Sequence, residues 1–235
     1  MEQSESGGLR HVLSADLATT SEVRATVRTR VNFAVPHLFS AAHFSRRVGE
    51  LERVNQGAVY GPFFDEILAN ATASIFTAVA SLEAYANELF IDRSDHFPQL
   101  SREVADRFWE LYERKEILRK FELAALLLNR TLPQAGESPV QDVKTLISLR
   151  NALTHFKPEW EDERSVHDKV STQLQARRIE PTPFHTGESG LFPRRWASHS
   201  CTKWAIRSCL EFDSRLSAQL GLPSKYNRHL HLLDP

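Results

Sequence analysis

Hydrophobic positions along this chain recur mostly three and four residues apart, the period of an α-helix. Leu38, Phe39, Ala42, Val48 and Leu51 predict a helix over about 35–54, with Pro36 in its first turn, where a missing N–H costs nothing. A longer stripe, from Phe64, Ile67 and Ala71 through Ile75, Ala78 and Leu82 to Tyr85 and Leu89, predicts a helix over about 62–92. Its many Ala and Ser positions allow neighbouring helices to approach closely. Ser101 reads as the N-cap of a segment that runs, with one break, to about Asn129, and the run Leu123 to Leu128 is apolar enough for the core. Ser138-Pro139-Val140-Gln141 has the form of a capping box, and the helix it starts carries Val143, Leu146, Ile147 and Leu153 inward before halting ahead of Pro158. Helices over about 164–178 and 198–220, the second closed by Gly221, flank a Pro/Gly-rich stretch from Ile179 to Trp196, long enough to be a lid or contact loop. The first twenty residues read as a loose tail, and no strand pattern or internal repeat stands out. The expected fold is all-α: an up-and-down helical bundle of four to five core helices over 21–160, with 1–20 a flexible tail and 161–235 a helical extension packed on the bundle.

Composition narrows the function classes. With 235 residues, 41% hydrophobic and 25% charged, and a net charge of -1, the chain is ordinary for a soluble globular protein and does not coat nucleic acid by bulk charge. Charge is nonetheless uneven: six bases and two acids lie between Arg24 and Arg53, five acids and no base between Tyr60 and Asp92, and seven bases and two acids between Arg194 and Arg228. These are either solvated helix faces or basic ends flanking a phosphate-binding cleft, with Arg194 and Arg195 as weak nucleic-acid candidates. Cys201 and Cys209, eight apart on one predicted helix, suit neither a mutual disulfide nor a zinc site, and two thiols fit a reducing cytoplasm. His229 and His231 alone are weak evidence for a metal, and no cofactor is implied. The polar start, Met1 to Gly8, has no signal-peptide core, and the longest uncharged run, Ile67 to Leu82, is short for a membrane span. The expectation is a cytoplasmic protein without a membrane partner. Tyr85, Trp160, Trp196 and Trp204 read as packing residues rather than base-stacking platforms.

The segment that points to chemistry is Leu149-Arg150-Asn151-Ala152-Leu153-Thr154-His155-Phe156. Arginine offers a permanent fork of donors to a phosphate, and histidine moves protons near neutral pH. Arg-x4-His arises by chance, and Arg194 with His199 repeats it, but His199 only begins a helix whereas Arg150 and His155 share one. At 100° per residue Asn151 lies about 40° and Arg150 about 140° from His155, so the three fan over the exposed side of the helix's last turn. The same residues could instead bond the last carbonyls and suit the helix dipole. Glu83 and Asn87, four apart on the long helix, either face this site as supporting groups or serve as surface or buried polar contacts.

The run from Leu149 to Pro158 resembles the signature helix of the HEPN superfamily, small all-α domains whose Arg-x4–6-His motif marks metal-independent ribonucleases. Ser81-Leu82-Glu83-Ala84-Tyr85-Ala86-Asn87-Glu88-Leu89-Phe90 resembles the long helix before it, and the likeness covers roughly Val35 to Glu159. It implies His155 as general acid or base, Arg150 as stabiliser of the phosphorane-like transition state, and Asn151 as the residue orienting the pair or the phosphate. The implied reaction is attack of a ribose 2′-hydroxyl on the adjacent phosphate, at a site formed across a homodimer. The implied partners are RNA, a second copy, and an antitoxin or defence-system partner in a toxin–antitoxin or phage-defence setting. The rival expectations are a non-catalytic dimerisation, nucleotide-binding or protein-interaction module, and a ribonuclease kept silent by a partner over its cleft.

Overall fold

A computed structural model describes residues 9–17, 23–160, 165–185 and 190–235. Among them are the helices α1 Ala34–Val54, α2 Phe63–Ile91, the single turn α3 Arg93–His96, α4 Arg102–Tyr112, α5 Ile117–Leu127, α6 Ser138–Thr154, α7 Ser165–Gln175 and α8 His199–Leu220. A tight turn over Leu191–Arg195 precedes α8, and a 3-10 turn over Asn227–Leu232 follows it. The fold is all-α, as the helical period predicts. Residues 164 and 186–189 of the predicted helix and loop lie outside the described residues.

The amino-terminal segment corrects the expectation of a tail without strands. Strand β1, Leu9–Leu17, pairs antiparallel with β2, Val23–Val31, setting Leu9 opposite Val31, Leu13 opposite Val27 and Leu17 opposite Val23. This two-residue alternation is diluted by Arg, Ser and Thr, which is why a search for helical period passes over it. The remainder of the expected tail, 1–8 and 18–20, lies outside the described residues.

The core forms where α1 and α2 pack along their lengths and α8 lies against α1, α2 and α6. Residues 161–235 were expected to form an extension on the bundle, yet α8 completes the bundle itself, burying Ala205, Ile206, Cys209, Phe212 and Leu216. Small residues bring α1 and α2 together: Ala34, Ala41 and Ala42 face Ala71, Ser74, Ala78 and Ser81, all buried. Ser74 and Ser81 donate across the seam to the carbonyls of Ala41 (2.9 Å) and Ala34 (2.5 Å), so their hydroxyls are satisfied without water. By length and composition α2 could cross a membrane; Ile67, Ile75, Val79, Leu82 and Leu89 are buried in the bundle's core, while Leu68 and Ile91 are exposed.

Local signals held unevenly. Ser198 caps α8 by accepting from the Cys201 N–H (3.2 Å), and Gly221 closes it at φ 69°, a left-handed conformation that glycine adopts without strain. Ser101 caps α4 through the Val104 N–H. The capping box at Ser138 does not form: its hydroxyl donates to the Asp142 carboxylate (2.8 Å), which is also paired with Arg177. Of the apolar run expected in the core, Leu123, Ala124 and Ala125 are buried but Leu126 is 71% exposed. Ile147 and Leu153 pack only at the core's margin.

Gly49, inside α1, is needed for another reason. A Cβ there would stand 2.8 Å from Cε1 and Nδ1 of His199. Gly49→Ala is therefore expected to lower stability by about 1–3 kcal/mol despite alanine's better helix propensity, because the ring must shift. Denaturant titration would measure it, and a stabilised variant would show that the ring yields freely. Burial, with Lys203 second, holds the His199 imidazole below its usual value. The unfolded chain thus binds this proton first, and stability should fall as pH drops below the ordinary imidazole range. His199→Gln should flatten that part of the stability–pH curve; Glu52, raised mainly by burial, acts in the opposite sense nearer the carboxylate range.

Candidate active site

Helix α6 delivers Arg150 and Asn151 on its last turn and ends at His155, whose backbone N–H donates to the Asn151 carbonyl (2.9 Å). Asn151 and His155 are exposed, and neither side chain has a hydrogen-bond partner among the described residues. Arg150 is half-buried, its Nε is sealed from water with no partner, and no carboxylate meets its guanidinium among the described residues. Other half-buried arginines are paired: Arg93 with Asp106 (2.7 Å) and Arg177 with Asp142 (3.1 Å). Arg150 alone of these three has no carboxylate partner among the described residues.

The chain beyond His155 is clamped. Phe156 stacks on the His167 ring (centroids 5.3 Å apart, 20° between planes), and both rings touch Phe192. His167 is buried with Nε2 at 3.0 Å from the Lys157 carbonyl. Glu159 accepts the N–H groups of Val166 (3.2 Å) and His167 (3.1 Å), which hold its carboxyl below the usual carboxylate range. Its charge thus serves the start of α7. These contacts fix the path of the chain as it leaves His155.

Glu83 and Asn87 do share one site, but with a different cation. Both bind Lys120 of α5, Asn87 at 2.8 Å, and the ammonium also lies over the Trp109 ring. No hydrogen bond or ion pair joins either to Arg150 among the described residues. Lys120 is almost fully buried, so the carboxylate and amide offset its desolvation and tie α2 to α5. Sequence reading passed over this lysine, although a charge inside the apolar stripe Ile117, Phe121, Ala124 was a usable sign. Arg194 and Arg195 lie on the turn whose Phe192 touches Phe156, so that turn borders the His155 end of α6, with Arg194 exposed.

Tyr85 and Trp196 are buried packing residues as expected, and Trp204 is half-buried. Trp160 contradicts the packing expectation at 79% exposure, because α6 has ended and the chain there follows no helical face. Burial pushes the thiols of Cys201 and Cys209 and the phenols of Tyr85 and Tyr226 upward, which removes them as nucleophiles or proton carriers near neutrality. A cleft of about 750 Å³ lies between the start of α8, the start of α6 and the end of α7. Its wall balances Arg177, Arg178, Lys203 and Arg207 with four acids, and it includes none of Arg150, Asn151 and His155. A smaller one, of about 350 Å³, sits by Asp213 and Tyr226. The motif lies outside both of these clefts. Among the described residues no group of three or more His, Cys, Asp or Glu is placed to hold a metal ion.

Comparison with protein-family models, curated proteins and solved structures finds no match to this chain.

Proposed function

We propose that this protein is a metal-independent endoribonuclease of HEPN type, soluble in the cytoplasm and acting as a homodimer. The observation that carries the reading is the half-buried guanidinium of Arg150, without a carboxylate partner among the described residues, on the same helix end as the exposed side chains of Asn151 and His155. An incoming phosphate would supply acceptors for the terminal nitrogens of this group. In the reaction the 2′-oxygen bonds to phosphorus as the phosphorus–5′-oxygen bond breaks. One imidazole takes the 2′ proton, another donates a proton to the leaving 5′-oxygen, and a cyclic phosphate remains. Arg150 bears the charge that develops on the non-bridging oxygens. One exposed histidine cannot fill both proton roles in one step, which is why a second copy facing the first belongs to the mechanism. A toxin–antitoxin or phage-defence setting, with a neutralising partner, belongs to the same reading.

A second reading, a non-catalytic dimerisation or nucleotide-binding module, draws on the motif's place outside both described clefts. Cleavage of a mixed RNA pool in EDTA separates the two. Wild-type protein is expected to leave cyclic-phosphate ends, and His155→Ala is expected to leave the RNA intact. Undiminished cutting by the variant, or no cutting by a folded wild-type dimer, overturns the ribonuclease reading, the latter in favour of the module.

A further inference from the structure

One buried histidine lies against the chain that leaves His155 and has no part in the proposed chemistry. His167, on the first turn of α7, is 4% exposed, and its Nε2 lies 3.0 Å from the Lys157 carbonyl. A carbonyl oxygen only accepts, so Nε2 carries a proton and donates. Nδ1 is 3.7 Å from the Glu159 carboxylate, beyond hydrogen-bond reach. The ring fills the space between Phe156, stacked on it at 5.3 Å, and Phe192, edge-on at 5.1 Å. Phe192 is fastened to α7 in turn, its N–H donating to the Ser171 hydroxyl (2.9 Å).

Packing alone does not call for an imidazole here. Phenylalanine would fill the same space between two rings without taking a polar ring out of water. What the histidine adds is a donor to one backbone carbonyl, two residues beyond His155. That carbonyl matters because α6 ends at His155, whose backbone has left the helix (φ -111°, ψ 41°). The helical ladder therefore no longer sets the path of the chain. Among the described residues, the bond from His167 is the only hydrogen bond to the backbone of Phe156, Lys157 and Pro158.

We infer that His167 is a positioning residue for His155: its bond to the Lys157 carbonyl fixes the chain leaving α6, and with it where the His155 imidazole stands. The effect on RNA cleavage rests on the ribonuclease reading; the anchoring of His155 does not. A reacting group displaced by about 1 Å loses on the order of a hundredfold in rate, so a bond that adds little to stability can matter greatly to turnover.

Two variants of the full chain separate the anchor from the packing. His167→Phe keeps the ring stack and removes the donor, whereas His167→Gln keeps a side-chain N–H and removes the ring. His167→Phe should melt at or above the wild-type temperature, yet its kcat should fall about ten- to hundredfold with KM within about twofold. His167→Gln should melt lower and keep kcat within about threefold of wild type. A residue that served packing alone would give the opposite order. Exchange of the His155 amide proton, read by NMR, should also quicken about tenfold or more in His167→Phe as the end of α6 frays. Wild-type exchange in His167→Phe overturns the inference, as does a folded His167→Gln that is as slow as His167→Phe. If His167→Gln fails to fold, His167→Phe decides alone. A wild type that cuts no RNA removes the ribonuclease, and the His155 exchange then decides the anchor by itself. A His167→Phe chain that cuts as fast as an active wild type removes the anchor and leaves the ribonuclease standing.

Discussion

Replacing Arg150 or His155 by alanine is expected to lower RNA cleavage by about two to four orders of magnitude while leaving the fold unchanged. The size follows from what each group supplies: a positioned proton carrier contributes roughly 10²–10⁴ in rate and a preorganised donor to the developing oxyanion about 10²–10³. The fold should be indifferent to His155→Ala because that side chain is exposed and without a partner among the described residues. Arg150→Lys should restore little, since a lysine keeps the charge but loses the planar fork. The proposed shared site makes a sharper forecast. If two facing copies supply base and acid, mixed dimers of wild type and His155→Ala are dead, and activity in a mixture falls as the square of the wild-type fraction. A linear fall would mean that each copy works alone. Circular dichroism and melting of the same samples exclude misfolding as the cause.

Glu88→Ala, at a buried carboxylate, is expected to destabilise the protein by about 3–5 kcal/mol. Helix α1 has no cap of its own, since Phe33 stands where a capping side chain would be. Glu88 of α2 supplies the cap from another helix: one carboxylate oxygen accepts the N–H groups of Phe33 (2.8 Å) and Ala34 (2.9 Å). Its other oxygen pairs with Lys225, whose ammonium also lies over the Tyr85 ring. The alanine strands two helix-terminal donors and a partly buried cation together, and the cap and ion-pair losses are each large. For a chain of this length, about 2–4 °C of melting temperature goes with each kcal/mol, so a fall on the order of 10 °C is expected. Glu88→Gln should lose less, because its amide oxygen still accepts the two N–H groups. A melting point within 2 °C of wild type for the alanine variant would show that water caps α1 equally well.

Much of the helical framework could be read along the chain because its signals act within a few residues. Pro36, Ser101, Ser198 and Gly221 mark helix ends through their own backbone geometry or a hydrogen bond to a residue three positions on, and the apolar stripe of α2 needs only its own period. The motif at the end of α6 is equally local: Arg150, Asn151 and His155 fall on one turn whatever surrounds it. Reading failed where a residue's partner is remote. Ser138 looks like a cap until Asp142, itself held by Arg177 from α7, takes its hydroxyl. Glu83 and Asn87 look like partners for Arg150 until Lys120, more than thirty residues away, occupies both. Trp160 reads as a packing residue, yet its ring is 79% exposed on irregular chain beyond α6. The sequence by itself determined an all-α chain, most helix limits and the grouping of Arg150, Asn151 and His155, since these depend on periodicity and near-neighbour hydrogen bonds. Only the tertiary structure decided that α8 completes the core, that Glu88 caps α1, and that Arg150 meets no acid among the described residues, because which buried charge meets which is set by packing between distant elements.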